Sequence, residues 1–98
     1  MRYQIEYSPE AVDHLRTLTA RQRVLVVETV EQQLMYLPTN ETRNRKPMRP
    51  NPLAPWELRI GRLRVYYDVE GAERVVRVRA VGVKERNRVI FGTGEMPL

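Results

Sequence analysis

The run Trp56 to Val69, WELRIGRLRVYYDV, and the run Ala80 to Arg88, AVGVKERNR, alternate apolar residues with basic or polar ones at a period of two. In an extended strand that period sends successive side chains to opposite faces. Trp56, Leu58 and Ile60 therefore share one face and Glu57 and Arg59 the other. In the next strand Leu63, Val65, Tyr67 and Val69 oppose Arg64, Tyr66 and Asp68. The polar face carries Arg59 and Arg64, with some of Arg77, Arg79, Lys84 and Arg86. A guanidinium holds phosphate oxygens in pairs and an ammonium acts as a point charge, so the chemistry on offer is contact with a polyanion. A second basic cluster, Arg43, Arg45, Lys46 and Arg49, precedes these strands in a stretch from Thr39 to Pro55 that holds four prolines. Cations there would bind phosphates for affinity without reading a base sequence.

Charge distribution sharpens this reading. The net charge is +5, yet residues 1–42 carry four Arg against six acids while residues 43–98 carry thirteen Lys or Arg against six acids. A chain so lopsided favours nucleic acid, an anionic surface or an acidic protein as partner. Its 98 residues suit one domain spanning 1–98. With no cysteine and one histidine, His14, neither disulfides nor thiolate metal sites are available, and a lone imidazole makes no catalytic arrangement. His14, beside Asp13 and Arg16, reads as a surface residue. No apolar leader and no stretch of about 18 apolar residues is present, so no membrane partner is expected and the cytoplasm is the expected location.

The elements that must position these residues follow from punctuation. Arg2 to Tyr7 alternates as a short strand. Ser8 and Pro9 supply an N-cap and an N1 proline, with Glu10 in the first turn, and open a helix that presents Val12, Leu15 and Leu18 inward. Thr19 caps a second helix expected over Ala20 to Leu37, with Val27, Val30, Leu34 and Leu37 as its apolar stripe, and Pro38 ends it. After the long loop come strands Trp56–Ile60, Leu63–Glu70 and Arg74–Val83, separated by turns at Gly61–Arg62 and Gly71–Ala72. The tail, Lys84 to Leu98, fits either a helical turn or a last strand reaching Phe91 before Gly92 and Gly94. The fold class is α+β: a β-α-α-β-β-β order, with the N-terminal strand and helical hairpin packed on an antiparallel sheet whose other face is open.

That order, together with KPMR at Lys46 to Arg49, ELRIGRLRVYYDV at Glu57 to Val69 and AVGVKERNR at Ala80 to Arg88, resembles the RelE/ParE superfamily of toxins from type II toxin–antitoxin systems, and its RelE-like branch more than ParE. The resemblance implies a compact sheet with an N-terminal helical hairpin, an acidic antitoxin that wraps the toxin, and messenger RNA in the ribosomal decoding site as substrate. The implied reaction is attack of a 2′-OH on the adjacent phosphate, which needs a proton acceptor, cations and a proton donor, and no metal or other cofactor. Arg64 matches the family's sheet arginine. Lys84 stands where better-characterised members carry a second catalytic arginine, and Arg86 matches another basic position in the same turn. Arg43, Arg45, Lys46 and Arg49 of the basic loop and Arg59, Arg77 and Arg79 of the open face are, by their charge and placement, the expected contacts to ribosome and RNA.

Three positions depart from the family pattern. Pro55 and Glu57 stand in the strand that carries lysines in well-known RelE toxins, and Ile90 replaces a C-terminal tyrosine. The general acid and base are thus unassigned. Glu57 is a candidate base, although cations beside it weaken a carboxylate as a proton acceptor, and Tyr66, placed by alternation on the open face, is the candidate aromatic donor. Two functions stay in play: a ribosome-dependent mRNA endoribonuclease, or a binding module, either a ParE-like gyrase inhibitor or a catalytically silent domain that binds antitoxin or nucleic acid.

Overall fold

Ser8 and Thr19 act as the sequence predicts. In the computed structural model, which describes residues 2–92 and the backbone of 94–95, the Ser8 side chain accepts from the Ala11 N–H at the start of α1 (Pro9–Thr17). Thr19 and Gln22 form a reciprocal capping box at the start of α2 (Ala20–Leu34). The second helix ends three residues early. Its buried stripe is Val26, Val30 and Leu34, Val27 is only half-buried, and Leu37 lies beyond the helix, 55% exposed.

The remaining elements are strands: β1 (Gln4–Tyr7), β2 (Arg45–Pro47), β3 (Trp56–Ile60), β4 (Leu63–Glu70), β5 (Val75–Glu85), β6 (Arg88–Phe91) and β7 (Gly94–Glu95). They run in the order β2-β3-β4-β5-β6-β7, every ladder on that path antiparallel. The strand β1 joins in parallel along β5, Gln4 opposite Val75 through Tyr7 opposite Val78. The expected α+β architecture is therefore present, with one parallel ladder that makes the sheet mixed. The loop from Thr39 to Pro55 supplies the short strand β2, and the tail adds β6 as a strand to Phe91. Residues 93 and 96–98 of that tail lie outside the described residues.

Two features set where side chains point. The helices cover one face of the sheet, where Leu58, Leu63, Val65, Tyr67, Val76, Val78 and Val81 pack with Ala11, Leu15, Val26, Val30 and Leu34. Against Tyr66 and Tyr67 the register of β5 jumps from Ala80 to Val78, leaving Arg79 as an extra residue in a β-bulge. The bulge reverses the alternation of β5: Val76 and Val78 face the helices before it, Val81 and Val83 after it.

The second face is not open throughout. Tyr66, Ala80, Val89, Phe91 and Ala54 form a small second core, with Met48 and Leu53 of the proline-rich loop packed over it. Asn51 knits that loop into a fixed cap. Its amide nitrogen donates to the carbonyls of Arg49 and Ala54 at 2.7 and 3.0 Å, its amide oxygen accepts from the N–H groups of Leu53 and Ala54 at 2.8 and 3.0 Å, and Met48 N–H donates to Pro55 at the base.

Candidate active site and phosphate-binding face

The strand pair β3–β4 builds the centre of the site. Register places Glu57 opposite Tyr66 and Arg59 opposite Arg64, all four on the face away from the helices, with Lys46 of β2 opposite Glu57. Glu57 is the carboxylate of this group, and its side chain is only 12% exposed. Arg59 Nε donates to its Oε1 at 2.7 Å. A carboxylate so far withdrawn from water needs such a partner to offset lost hydration, and with one oxygen engaged the carboxylate is held in place.

Arg64 is fixed differently. Its Nη1 donates to the carbonyls of Gly61 and Leu63 at 2.6 and 2.9 Å, across the β3–β4 turn that Gly61 makes at a φ of 58°. Among the described residues Arg64 has no carboxylate partner, so its position is set by neutral groups and its charge stays uncompensated. Lys84 lies at the same end: its N–H donates to the Arg62 carbonyl at 2.7 Å, and Arg62 Nε returns a bond to the Lys84 carbonyl. Arg86 sits in the β5–β6 turn with φ of 57°, a conformation that costs a side-chain-bearing residue energy. Neither Lys84 nor Arg86 has a carboxylate partner among the described residues. Gly82, opposite Arg64, is where β6 crosses close to β5; a methyl group there would lie 2.5 Å from Val89 Cγ1 and 2.8 Å from the Ile90 carbonyl.

The other expected contacts separate into groups. Arg43 is exposed on the loop, and Lys46 lies 3.5 Å from Glu41. Arg49 is exposed on the loop ridge. Arg77 pairs with Glu6 at 3.3 Å, and Arg79 grips Asp68 Oδ2 with Nε at 3.1 Å and Nη2 at 2.7 Å, toward the opposite end of the face. Arg45 differs from the loop cation expected of it. It is buried, and its Nη1 donates to the carbonyls of Gln33 and Leu37, closing the end of α2. That side chain belongs to the fold rather than to a nucleic-acid surface.

Tyr66 also departs from expectation. It is fully buried under the loop, and burial, reinforced by the nearby Glu57 carboxylate, pushes the phenol above its usual range. Alternation identified its face correctly and missed the cover on that face. His14 is likewise half-buried rather than superficial: its Nδ1 accepts from the Val81 N–H at 3.1 Å and its ring tilts against Phe91. Asn51, Asp68 and Glu10, none of them expected as a site residue, line a cleft beside the loop. The Asn51–Pro52 dipeptide was a usable turn signal for the first.

Two clefts of about 650 Å³ flank the ridge Met48 to Asn51. One is walled by Lys46, Arg49, Glu57 and Arg59, and is the concave part of the cationic site. What this arrangement can do chemically is bind a phosphate against guanidinium and ammonium groups while a fixed carboxylate stands beside it.

Comparison with known proteins bears on the fold and the family. The family model described as the ParE toxin of the type II toxin–antitoxin system parDE matches residues 5–88. No curated protein matches the chain. Among solved structures, the chain is similar to one from the toxin–antitoxin complex RelBE2 of Mycobacterium tuberculosis, with a TM-score of 0.75 at 24% identity, covering 86% of this chain and 93% of that one. It is also similar to one from the archaeal RelE–RelB complex of Pyrococcus horikoshii OT3, with a TM-score of 0.64 at 18% identity, covering 88% and 99%. At those identities the structural likeness speaks for the fold, and the family model, spanning most of the sequence, speaks for descent. The chain belongs to the ParE toxin family of type II toxin–antitoxin systems, within the RelE/ParE superfamily.

Proposed function

We propose that this toxin is a ribosome-dependent endoribonuclease that cuts messenger RNA without a metal ion. The observation that carries the reading is Arg64, a sheet arginine with no acidic partner among the described residues, held by two backbone carbonyls on the same face as the mostly buried carboxylate of Glu57. In this reading Glu57 takes the proton from a 2′-OH as that oxygen attacks the adjacent phosphorus. Arg64, with Lys84, neutralises charge on the phosphorane, and the bond to the 5′ oxygen breaks to leave a 2′,3′-cyclic phosphate. Buried Tyr66 does not supply the leaving-group proton; water or Lys84 does. Arg43, Lys46 and Arg49 add phosphate contacts, and the acidic partner that neutralises this face is an antitoxin, as the complexes formed by the structural neighbours support.

The test is cell-free translation with the purified protein, followed by primer extension on the programmed message, with a control lacking ribosomes. Cuts that need ribosomes and fall by at least about a hundredfold in Arg64→Ala support the reading. An intact message with normal translation removes it. A second reading, inhibition of DNA gyrase, is favoured by the ParE description of the matching family model. Loss of supercoiling by gyrase in the presence of the protein, with mRNA left whole, would put that reading first.

A further inference from the structure

The cleft on the far side of the Met48–Asn51 ridge differs in charge from its neighbour. Its titratable wall consists of Arg49 and Arg79 against Glu10 and Asp68, a neutral set, over apolar surface from Met48 and Leu53. A phosphate entering it would meet two carboxylates. The ligand that suits a neutral, part-apolar cleft with donors and acceptors side by side is a flat uncharged group with both on its rim. We propose that this cleft is a nucleobase subsite, holding one base of an RNA strand whose phosphates lie along Lys46, Arg59 and Arg64 across the ridge. The inference rests on the nucleic-acid reading above.

Three observations carry it. Both bonds from Arg79 land on Asp68 Oδ2, which leaves Oδ1 without a hydrogen-bond partner among the described residues, on a side chain 29% exposed. An ionised carboxylate oxygen only accepts, so it calls for an N–H on the ligand, while the guanidinium beside it calls for an acceptor. A base edge sets those two groups next to each other. Secondly, Arg79 is the bulge residue, re-aimed onto Asp68 from an irregular point in β5, and its carbonyl is pinned by the Ser8 hydroxyl at 3.0 Å. Thirdly, the ridge is held by the Asn51 hydrogen bonds, so the cleft is formed before a ligand arrives and little ordering is lost on binding.

The experiment is a heteronuclear NMR titration of the full chain with two 2′-O-methyl RNA pentamers, which cannot undergo 2′-OH attack: one complete, one abasic at its central nucleotide. The complete pentamer is expected to shift the Leu53 and Ala54 amides and the Arg79 Nε resonance. The abasic one should leave these still while both move the Arg59 and Arg64 Nε signals. Asp68→Asn should weaken the complete pentamer by about tenfold, toward the abasic level. Because the two pentamers are compared on the unaltered protein, the result does not depend on the variant folding. Identical shifts from both pentamers, or no response at Leu53, Ala54 and Arg79, would overturn the base subsite. The nuclease reading is judged separately by the ribosome-dependent cuts, so either can fail while the other stands.

Discussion

His14 Nδ1 accepts a hydrogen bond from the Val81 backbone N–H at 3.1 Å, from a helix to the middle of a strand. The bond exists because β5 has a gap in its edge. The strand β1 stops opposite Val78 and the β6 ladder reaches back only to Val83, and between them α1 takes over: Ser8 Oγ donates to the Arg79 carbonyl and His14 accepts from Val81. Only an imidazole with Nδ1 unprotonated can accept.

Stability should therefore fall in mildly acidic solution. Burial pushes the His14 pKa below its usual 6.5, partly opposed by the Asp13 and Glu10 carboxylates. The unfolded chain then binds the proton more readily than the folded one, so this contribution is complete above pH 6.5 and is lost as pH falls below it, until the folded pKa is passed. Urea unfolding between about pH 7.5 and 5 should show the decline. His14→Asn, which keeps an acceptor and cannot titrate, should flatten it; an unchanged slope in that variant would place the dependence elsewhere.

Gly82→Ala should destabilise the fold by about 1–3 kcal/mol. The added methyl would collide with the Ile90 backbone as well as the Val89 side chain, and backbone cannot rotate out of the way. Thermal unfolding should record the loss, with faster hydrogen exchange in β6 than in β3 or β4. Equal loss of protection across the sheet would contradict this account.

Arg45→Met, which keeps most of the side-chain volume, should cost about 3 kcal/mol, because two carbonyls at the end of α2 lose a charged donor. RNA affinity of the folded fraction should change little, in contrast to Arg59→Ala. A variant as stable as the parent in denaturant titration would show that water replaces the guanidinium.

Glu57→Gln should lower mRNA cutting by about 10²- to 10⁴-fold while the folded state persists, if Glu57 takes the proton. Arg64→Lys should also cut poorly, since an ammonium cannot reproduce the paired carbonyl contacts that fix the guanidinium. Cutting by Glu57→Gln at the parent rate, in the primer-extension assay, would assign the base to another group.

What the sequence displayed was local. Ser8, Pro9, Thr19 and Gln22 cap helices through neighbours three residues away, and the face of each residue in β3 and β4 follows from simple alternation, so both were legible. The early end of α2 was not, because Arg45, which meets the carbonyls of Gln33 and Leu37, arrives from another element. Tyr66 failed for the same reason: its cover comes from Met48, Leu53 and Ala54, and no strand period reports a loop folding over. The bulge at Arg79 left a trace, since Ala80 and Val81 are adjacent apolar residues in a run that otherwise alternates from Val76 to Val83, which marks a slip of phase. The cationic face was visible as a set of residues; which cations are neutralised, Arg77 and Arg79 by acids and Arg64 by none among the described residues, required the fold.

The parallel β1–β5 ladder ties the first strand made to one of the last. Ser8 and Arg79 meet across 71 positions of chain, a long loop to close before any contact repays it. While the protein is being synthesised, the helical hairpin emerges early and its stripe of Val26, Val30 and Leu34 has no sheet to cover until β4 and β5 follow. The cationic end near Arg64, Lys84 and Arg86 is assembled by those same late strands. A nascent chain therefore exposes the apolar face of its helical hairpin before the sheet that covers it, and the cationic end with it, has been made.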